Sequence, residues 1–274
     1  MDYSIRKLTE RNESNFCSLW TERIRVQNCA DIFVNNKFVG DYFFNKVNII
    51  SSCHNINAII KEAIKIFSRK NLDCFFYIGK GKVGDTIKAM LLQMRFSHID
   101  TMQIFGTDLE DLLCEESNAH EIINVDSATL SSLWIDVFCE SFNIPNWKPE
   151  VKRIVNLHYK DLNLIISVTE KNGKYVPAGC ASLFRTNKVM GLYCLGTLPH
   201  LRRKGLAKKT IKTATCIAKE NRSKLFFVQA FVNDGFEHIY QSLGFELLYQ
   251  KEVYALYYKN LAKTINLDLQ LMLS

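Results

Sequence analysis

The sequence predicts an α/β fold of the mixed-sheet (α+β) kind, built as two related units in tandem, the second complete and the first degenerate. Three observations point there. The chain has 274 residues, 47% hydrophobic and 12% aromatic, enough for one large domain or two of about 130 residues each. Strand-like and helix-like periodicities alternate along it. Short segments of the two halves also echo each other in the same order: Ser18-Leu19-Trp20 and Ser132-Leu133-Trp134, Phe75-Phe76 and Phe226-Phe227, Met94-Arg95-Phe96 and Leu243-Gly244-Phe245. That period is too long for a solenoid.

An acidic stretch from Leu109 to Asn118 ends in turn formers and marks the boundary. It separates a first domain at 1–115 from a second at 122–260, with a tail at 261–274. In the second domain Val125 to Phe142 reads as a helix, with Leu130, Leu133, Trp134, Val137 and Phe138 on one face. Leu164 to Val168 is a short apolar strand. Asn172-Gly173 is a hairpin signal, because both residues tolerate positive φ. Tyr175 to Phe184 and Val189 to Leu198 continue as strands around Thr186-Asn187-Lys188, giving an antiparallel meander. A helix follows from Gly205 to Glu220, with Ala207, Ile211, Ala214 and Ala218 at helical spacing. Leu225 to Val232 is a buried strand by its apolar run. Asp234 and Glu237 have the spacing of a capping box, and Gly244 suits the end of that helix. Phe245 to Tyr249 and Lys251 to Tyr258 read as a final hairpin.

The segment Leu195-Gly196-Thr197-Leu198-Pro199-His200-Leu201-Arg202-Arg203-Lys204-Gly205-Leu206-Ala207 leaves a strand and opens a helix. A helix start presents unpaired N–H groups and partial positive charge. The small residues Gly205 and Ala207 let a ligand approach that backbone. Arg202, Arg203 and Lys204 add cations at the same place, so the segment predicts a pyrophosphate site.

Arg202-Arg203-Lys204-Gly205-Leu206-Ala207 resembles the R/Q-x-x-G-x-G/A signature of the GNAT superfamily of acyl-CoA-dependent N-acyltransferases. Asn233, Tyr240 and Gly244-Phe245 stand in the pattern N-x6-Y-x3-G-F seen in many members. The resemblance covers roughly Asn124 to Tyr258, and the order of elements there is similar to that fold. It implies acetyl-CoA, or another short acyl-CoA, as co-substrate, a primary amine on a small molecule or a protein as acceptor, and direct transfer between them. It further implies that backbone groups of Leu195, Gly196 and Thr197 pair with the pantetheine arm. The stretch Arg202 to Ala207, with Lys208, holds the pyrophosphate, and Asn233 bonds the arm. Tyr240 is implied as the general acid; a phenol with its ordinary pKa near 10 is protonated at neutral pH. Many relatives carry a Glu on the strand before the loop, but Val189 to Cys194 has no carboxylate. A lower-pKa amine, a water chain or Glu140 remain open as the base.

Gly79-Lys80-Gly81-Lys82-Val83-Gly84 mimics a dinucleotide fingerprint, but the surrounding βαβ array is missing. As a P-loop it fails, because Asp85 stands where the lysine belongs. The first half's counterpart of the basic loop, Ser51 to Asn57, lacks the Arg and Gly pattern, and Leu91 falls where Tyr240 would. That half is therefore expected to form a cleft wall or an interface without catalysis. The six histidines show no ligand spacing, and no metal is expected. Nine cysteines without C-x-x-C read as reduced, packed thiols of a cytoplasmic protein. The N-terminus lacks an apolar signal region and no run of 18 apolar residues occurs, so no membrane partner is expected. A net charge of +7 suits an anionic ligand. Nucleic acid, through Lys208, Lys209 and Lys212, ranks last among partners, and a homodimer stays open. The alternative function is a non-catalytic acyl-CoA sensor or scaffold.

Overall fold

A computed structural model describes residues 3–50, 55–110 and 122–259. Contacts divide the chain into two compact units. The first gathers the chain up to Leu19, Gln103–Ala230 and Asp234–Tyr249; the second gathers Trp20–Met102, Phe231–Asn233 and the chain from Gln250 onward. The units thus differ from the division at 115 and 122: the first helix belongs with second-half strands. Much of the acidic boundary segment, His54, His120, Cys53, Cys114 and the tail at 261–274 lie outside the described residues.

The first unit contains α1 (Tyr3–Trp20, through Leu19), the later part of β5 (Ser97–Asp108), β6 (Ile122–Asn124), α4 (Ala128–Phe142), α5 (Lys148–Leu162), β7 (Leu164–Lys171), β8 (Lys174–Thr186), β9 (Val189–Thr197), α6 (Leu206–Glu220), most of β10 (Leu225–Phe231), α7 (Glu237–Gln241) and the start of β11 (Glu246–Leu256). Its strands run in the order β11-β5-β10-β9-β8-β7-β6. The meander β7-β8-β9 is antiparallel, whereas β9 and β10 are parallel because α6 carries the chain back across. Asn172 and Gly173, at φ 52° and 73°, form the expected tight turn.

Two faces cover this sheet. Met190, Leu192, Phe226, Val228 and Ala230 join Ile211, Ala214 and Ala218 of α6 and Tyr240 of α7 in one buried cluster. Strand alternation sends Tyr193 and Phe227 to the other face. There Phe16 of α1 stacks on Tyr193 with ring centroids 3.9 Å apart. Residues Thr9, Asn12, Glu13, Phe16 and Cys17 of α1 are all fully buried, at the spacing of one helical stripe.

The second unit has β1 (Glu22–Val26), β2 (Ala30–Val34), β3 (Lys46–Ile49), α2 (Ile56–Arg69), β4 (Cys74–Gly79), α3 (Lys82–Gln93), the start of β5 and the end of β11. Its strand order is β1-β2-β3-β4-β11-β5. β4 pairs with β3 in parallel but with β11 antiparallel, and β3 is itself antiparallel to β2, so the glycine-rich turn before α3 does not sit in a doubly wound parallel array. Buried Asp31 holds both Arg23 and Arg25.

Three expectations are corrected and one element is added. The final hairpin is one continuous strand, β11. The capping box does not form: Val232–Asp234 is a 3-10 turn and the short helix α7 begins after Phe236 without a side-chain cap. Glu237 instead accepts from Gln103 and Gln241. Helix α5 was not anticipated. Cys29 is disulfide-bonded rather than reduced, while Cys17, Cys74, Cys139, Cys180, Cys194 and Cys216 are free. Among the described residues no helix is long and apolar enough to cross a membrane.

Candidate active site

The site begins where two parallel strands part. β10 pairs with β9 only from Leu225↔Val189 to Val228↔Leu192. Beyond that point β9 is bent by a bulge: Ser182 pairs with Tyr193 and Cys180 with Gly196, so Cys194 and Leu195 together face one residue of β8. Cys194 takes up the extra residue at φ 54°. A bulge bends a strand and redirects the backbone after it. Leu195, Gly196 and Thr197 therefore form a partly exposed strand segment on the open side of a fork, the place expected for a ligand with its own amides. Gly196 has a packing reason as well, since a Cβ there would meet Ser141 Cβ at 2.7 Å.

The chain then makes a 3-10 turn at Pro199–Leu201 and enters α6. Arg203 and Gly205 are left-handed, at φ 62° and 77°, and no side chain caps the helix. The first helical bond is Lys209 N–H to the Gly205 carbonyl, so the N–H groups of Leu206, Ala207 and Lys208 precede any intrahelical acceptor. A Cβ on Gly205 would meet nothing within 4 Å; glycine is needed for its φ, not for space. Arg202, Arg203, Lys204 and Lys208 are exposed, and the first turn has no acidic residue. Contrast α2, whose start is closed by Asn55 Oδ1 accepting from Ala58 N–H at 3.0 Å. The start of α2 is thus capped by its own chain, and the start of α6 is open and cationic.

Arg202 does different work from its neighbours. Its Nε donates to the Thr197 carbonyl at 3.2 Å and its Nη2 to the Ser141 carbonyl at 2.6 Å. Ser141 lies in the last turn of α4, where carbonyls lack helical partners and a cation is favoured. Arg202 therefore ties the loop to α4. Glu140 and His200 meet at the same place, 4.0 Å apart and both largely exposed. The Arg202→Ala variant should weaken CoA binding about tenfold, through a loosened loop; isothermal calorimetry measures this, and unchanged affinity would remove the assignment.

Tyr240 is 6% exposed, 5.5 Å from the Phe105 ring, in the cluster that also packs Leu195. Burial, and then the charge of Asp234, push its hydroxyl up to about 12. The phenol is protonated throughout the neutral range. The folded pKa is raised above the unfolded value of about 10, so Tyr240 contributes stability that is present below pH 10 and lost as pH rises toward 12. Chemical denaturation at pH 9 and pH 11 should show wild type losing more stability across that interval than Tyr240→Phe.

Asn233 has partners of its own. It belongs to the second unit, where its backbone N–H donates to Asp100 Oδ1 and its Nδ2 to the Ile99 carbonyl.

The α1 face of β9 is filled at Gly191. A Cβ on Gly191 would lie 2.8 Å from Asn12 Oδ1 and 2.6 Å from Tyr193. Asn12 Nδ2 donates to the Phe184 and Val189 carbonyls, and its Oδ1 accepts from the Tyr193 hydroxyl at 2.8 Å. Sequence reasoning missed this contribution of α1. Its signal was Thr9, Asn12 and Glu13 on the same stripe as Phe16, Cys17 and Trp20: polar residues on a buried face need partners. Among the described residues, no group of three or more His, Cys, Asp or Glu is arranged to hold a metal ion.

A strand fork running into an open cationic helix start suits a ligand that carries both amides and a diphosphate. Residues 130–245 match the model of the acetyltransferase (GNAT) family, and over that span the chain carries a GNAT acetyltransferase domain. No curated protein matches the sequence. Among solved structures the chain is similar to a GCN5-related N-acetyltransferase from Kribbella flavida, at 15% identity and TM-score 0.64, over 92% of this chain and 94% of that one. It is similar to a functionally unknown conserved protein from Staphylococcus epidermidis, at 14% identity and TM-score 0.63, over 86% and 94%. A tandem GNAT protein from the clavulanic acid biosynthesis pathway matches at 10% identity and TM-score 0.53, over 78% and 75%. Identities this low show a shared fold.

Proposed function

We propose that the protein transfers an acetyl or other short acyl group from acyl-CoA to a primary amine, by direct attack in a ternary complex. The observation that carries this reading is the continuity of the β9 fork with the uncapped start of α6. The N–H groups of Leu206, Ala207 and Lys208, with Arg203 and Lys204, suit a pyrophosphate. The exposed edge Leu195–Thr197 suits an amide-bearing arm. Acyl-CoA supplies the activated thioester carbonyl. The amine lone pair forms the C–N bond, the C–S bond breaks, and the proton lost from nitrogen balances the one gained by sulfur. Tyr240 hydrogen-bonds the departing sulfur. A thiol has a pKa near 8.5, so complete proton transfer from a phenol at about 12 is uphill by on the order of 5 kcal/mol. The hydroxyl therefore stabilises the departing thiolate by a hydrogen bond and keeps its own proton, and the thiolate is protonated from solvent. Glu140, beside His200 at the mouth of the loop, stays a candidate for taking up the amine proton.

The test is thiol release from acetyl-CoA with a panel of amines: spermidine, lysine, glucosamine and a dipeptide. Release with none of them, alongside tight CoA binding, would favour a second reading, an acyl-CoA sensor. Asn12 packed against Gly191, in the stretch Val189–Cys194 that carries no carboxylate, favours that reading. We further propose that the second unit is a degenerate GNAT-like half without catalysis, since Asn55 caps the start of α2, its counterpart of α6, and that the protein works in the cytoplasm.

A further inference from the structure

We infer that Gln229, oriented by Glu13, accepts a hydrogen bond from the acceptor amine and so positions the nucleophile at the fork. This rests on the transferase reading above. Gln229 is the first residue of β10 beyond the last pair with β9, Val228↔Leu192. Phe226 and Val228 belong to the cluster under α6, so alternation turns Phe227 and Gln229 to the α1 face. Phe227 meets Tyr193 edge-on there, at 6.0 Å. Gln229 Nε2 donates to Glu13 Oε2 at 2.7 Å, and Glu13 is fully buried.

A carboxylate only accepts, which fixes the orientation of the Gln229 amide. Its NH2 must face Glu13, and Oε1 is what remains. That oxygen is buried and has no hydrogen-bond partner among the described residues. The neighbouring polar groups of the same face are satisfied: Asn12 by two carbonyls and Tyr193, Thr9 by Tyr249. Gln229 thus carries an unsatisfied buried acceptor, on the residue that directly follows the last β9–β10 pair. The group that fits it is an N–H donor. A neutral amine giving one N–H to Oε1 directs its lone pair away from Gln229, toward the β9 side of the fork where the thioester carbonyl is proposed to lie.

The experiment uses the full chain and steady-state thiol release, with acetyl-CoA and the panel amine of highest kcat/KM. Gln229→Met should raise KM for the amine by about tenfold or more, while KM for acetyl-CoA stays within about twofold. Glu13→Leu should do the same, because the amide loses its anchor. Glu13→Gln keeps an acceptor and should stay within about threefold of wild type. Thermal unfolding checks that each variant folds; if the Glu13 variants do not, Gln229→Met decides. An unchanged amine KM in Gln229→Met overturns the inference while leaving the transferase reading intact. A rise in the acetyl-CoA KM instead also overturns it, by making the pantetheine arm the donor. A wild type that releases no thiol with any panel amine removes both.

Discussion

Gly205→Glu is expected to weaken CoA binding by about 100-fold, and two independent effects combine to give that figure. Gly205 sits at φ 77°, where a side chain costs roughly 1–2 kcal/mol. It also precedes the free N–H groups of α6, so a carboxylate there competes for the same donors as the diphosphate and repels it. Gly205→Ala separates the terms: it carries the conformational cost alone and should lose tenfold or less. Since a Cβ at 205 points into open space, neither variant disturbs the core. Calorimetric titration with CoA measures both. Equal affinity for wild type and Gly205→Glu would mean that the nucleotide binds elsewhere.

Tyr240→Phe is expected to cut kcat by about 10² with little change in CoA affinity. The substitution keeps the ring that packs on Phe105 and Phe245 and removes only the hydroxyl. The hydroxyl pKa of about 12 also fixes the pH behaviour. Tyr240 stays protonated up to the alkaline limit of most assays, so any fall in kcat between pH 8 and pH 10 belongs to another group. A wild-type rate that declines through a pKa near 10 and becomes flat in Tyr240→Phe would contradict the burial. Full turnover of the variant would remove Tyr240 from the mechanism.

The parts of the fold that were legible in the sequence are those governed by local chemistry. Asn172-Gly173 forms its turn because both residues accept positive φ. The loop from Pro199 to Gly205 opens a helix because Gly205 supplies the left-handed cap and Ala207, Ile211, Ala214 and Ala218 supply the buried face. What stayed hidden depends on contacts distant in sequence. Gln250-Lys251 reads as a break between two strands, yet Lys251 is 3% exposed and lies over the Tyr77 ring, and its strand pairs with β4; a buried lysine gives no sign of itself in a linear pattern. The bulge at Cys194 has no glycine to announce it. Helix α5 could have been found from Pro149 at its start and from the spacing of Val151, Ile154, Val155 and Leu162. Asn233 fitted a motif spacing, but its hydrogen bonds to Asp100 and Ile99 give it structural work that spacing does not reveal.

The assignment of α1 and of residues 103–108 to the same unit as the acetyltransferase span has a practical consequence for dissecting the protein. A fragment covering 122–260 would hold every motif residue of the signature and still lack the stripe that binds the Phe184 and Val189 carbonyls, stacks on Tyr193 and anchors Gln229. It would also expose β10 along the edge that β5 covers, an invitation to aggregate. Expression of this fragment alone should therefore yield insoluble or molten material, and co-expression with residues 1–121 on a second chain is the arrangement that would restore a folded pair.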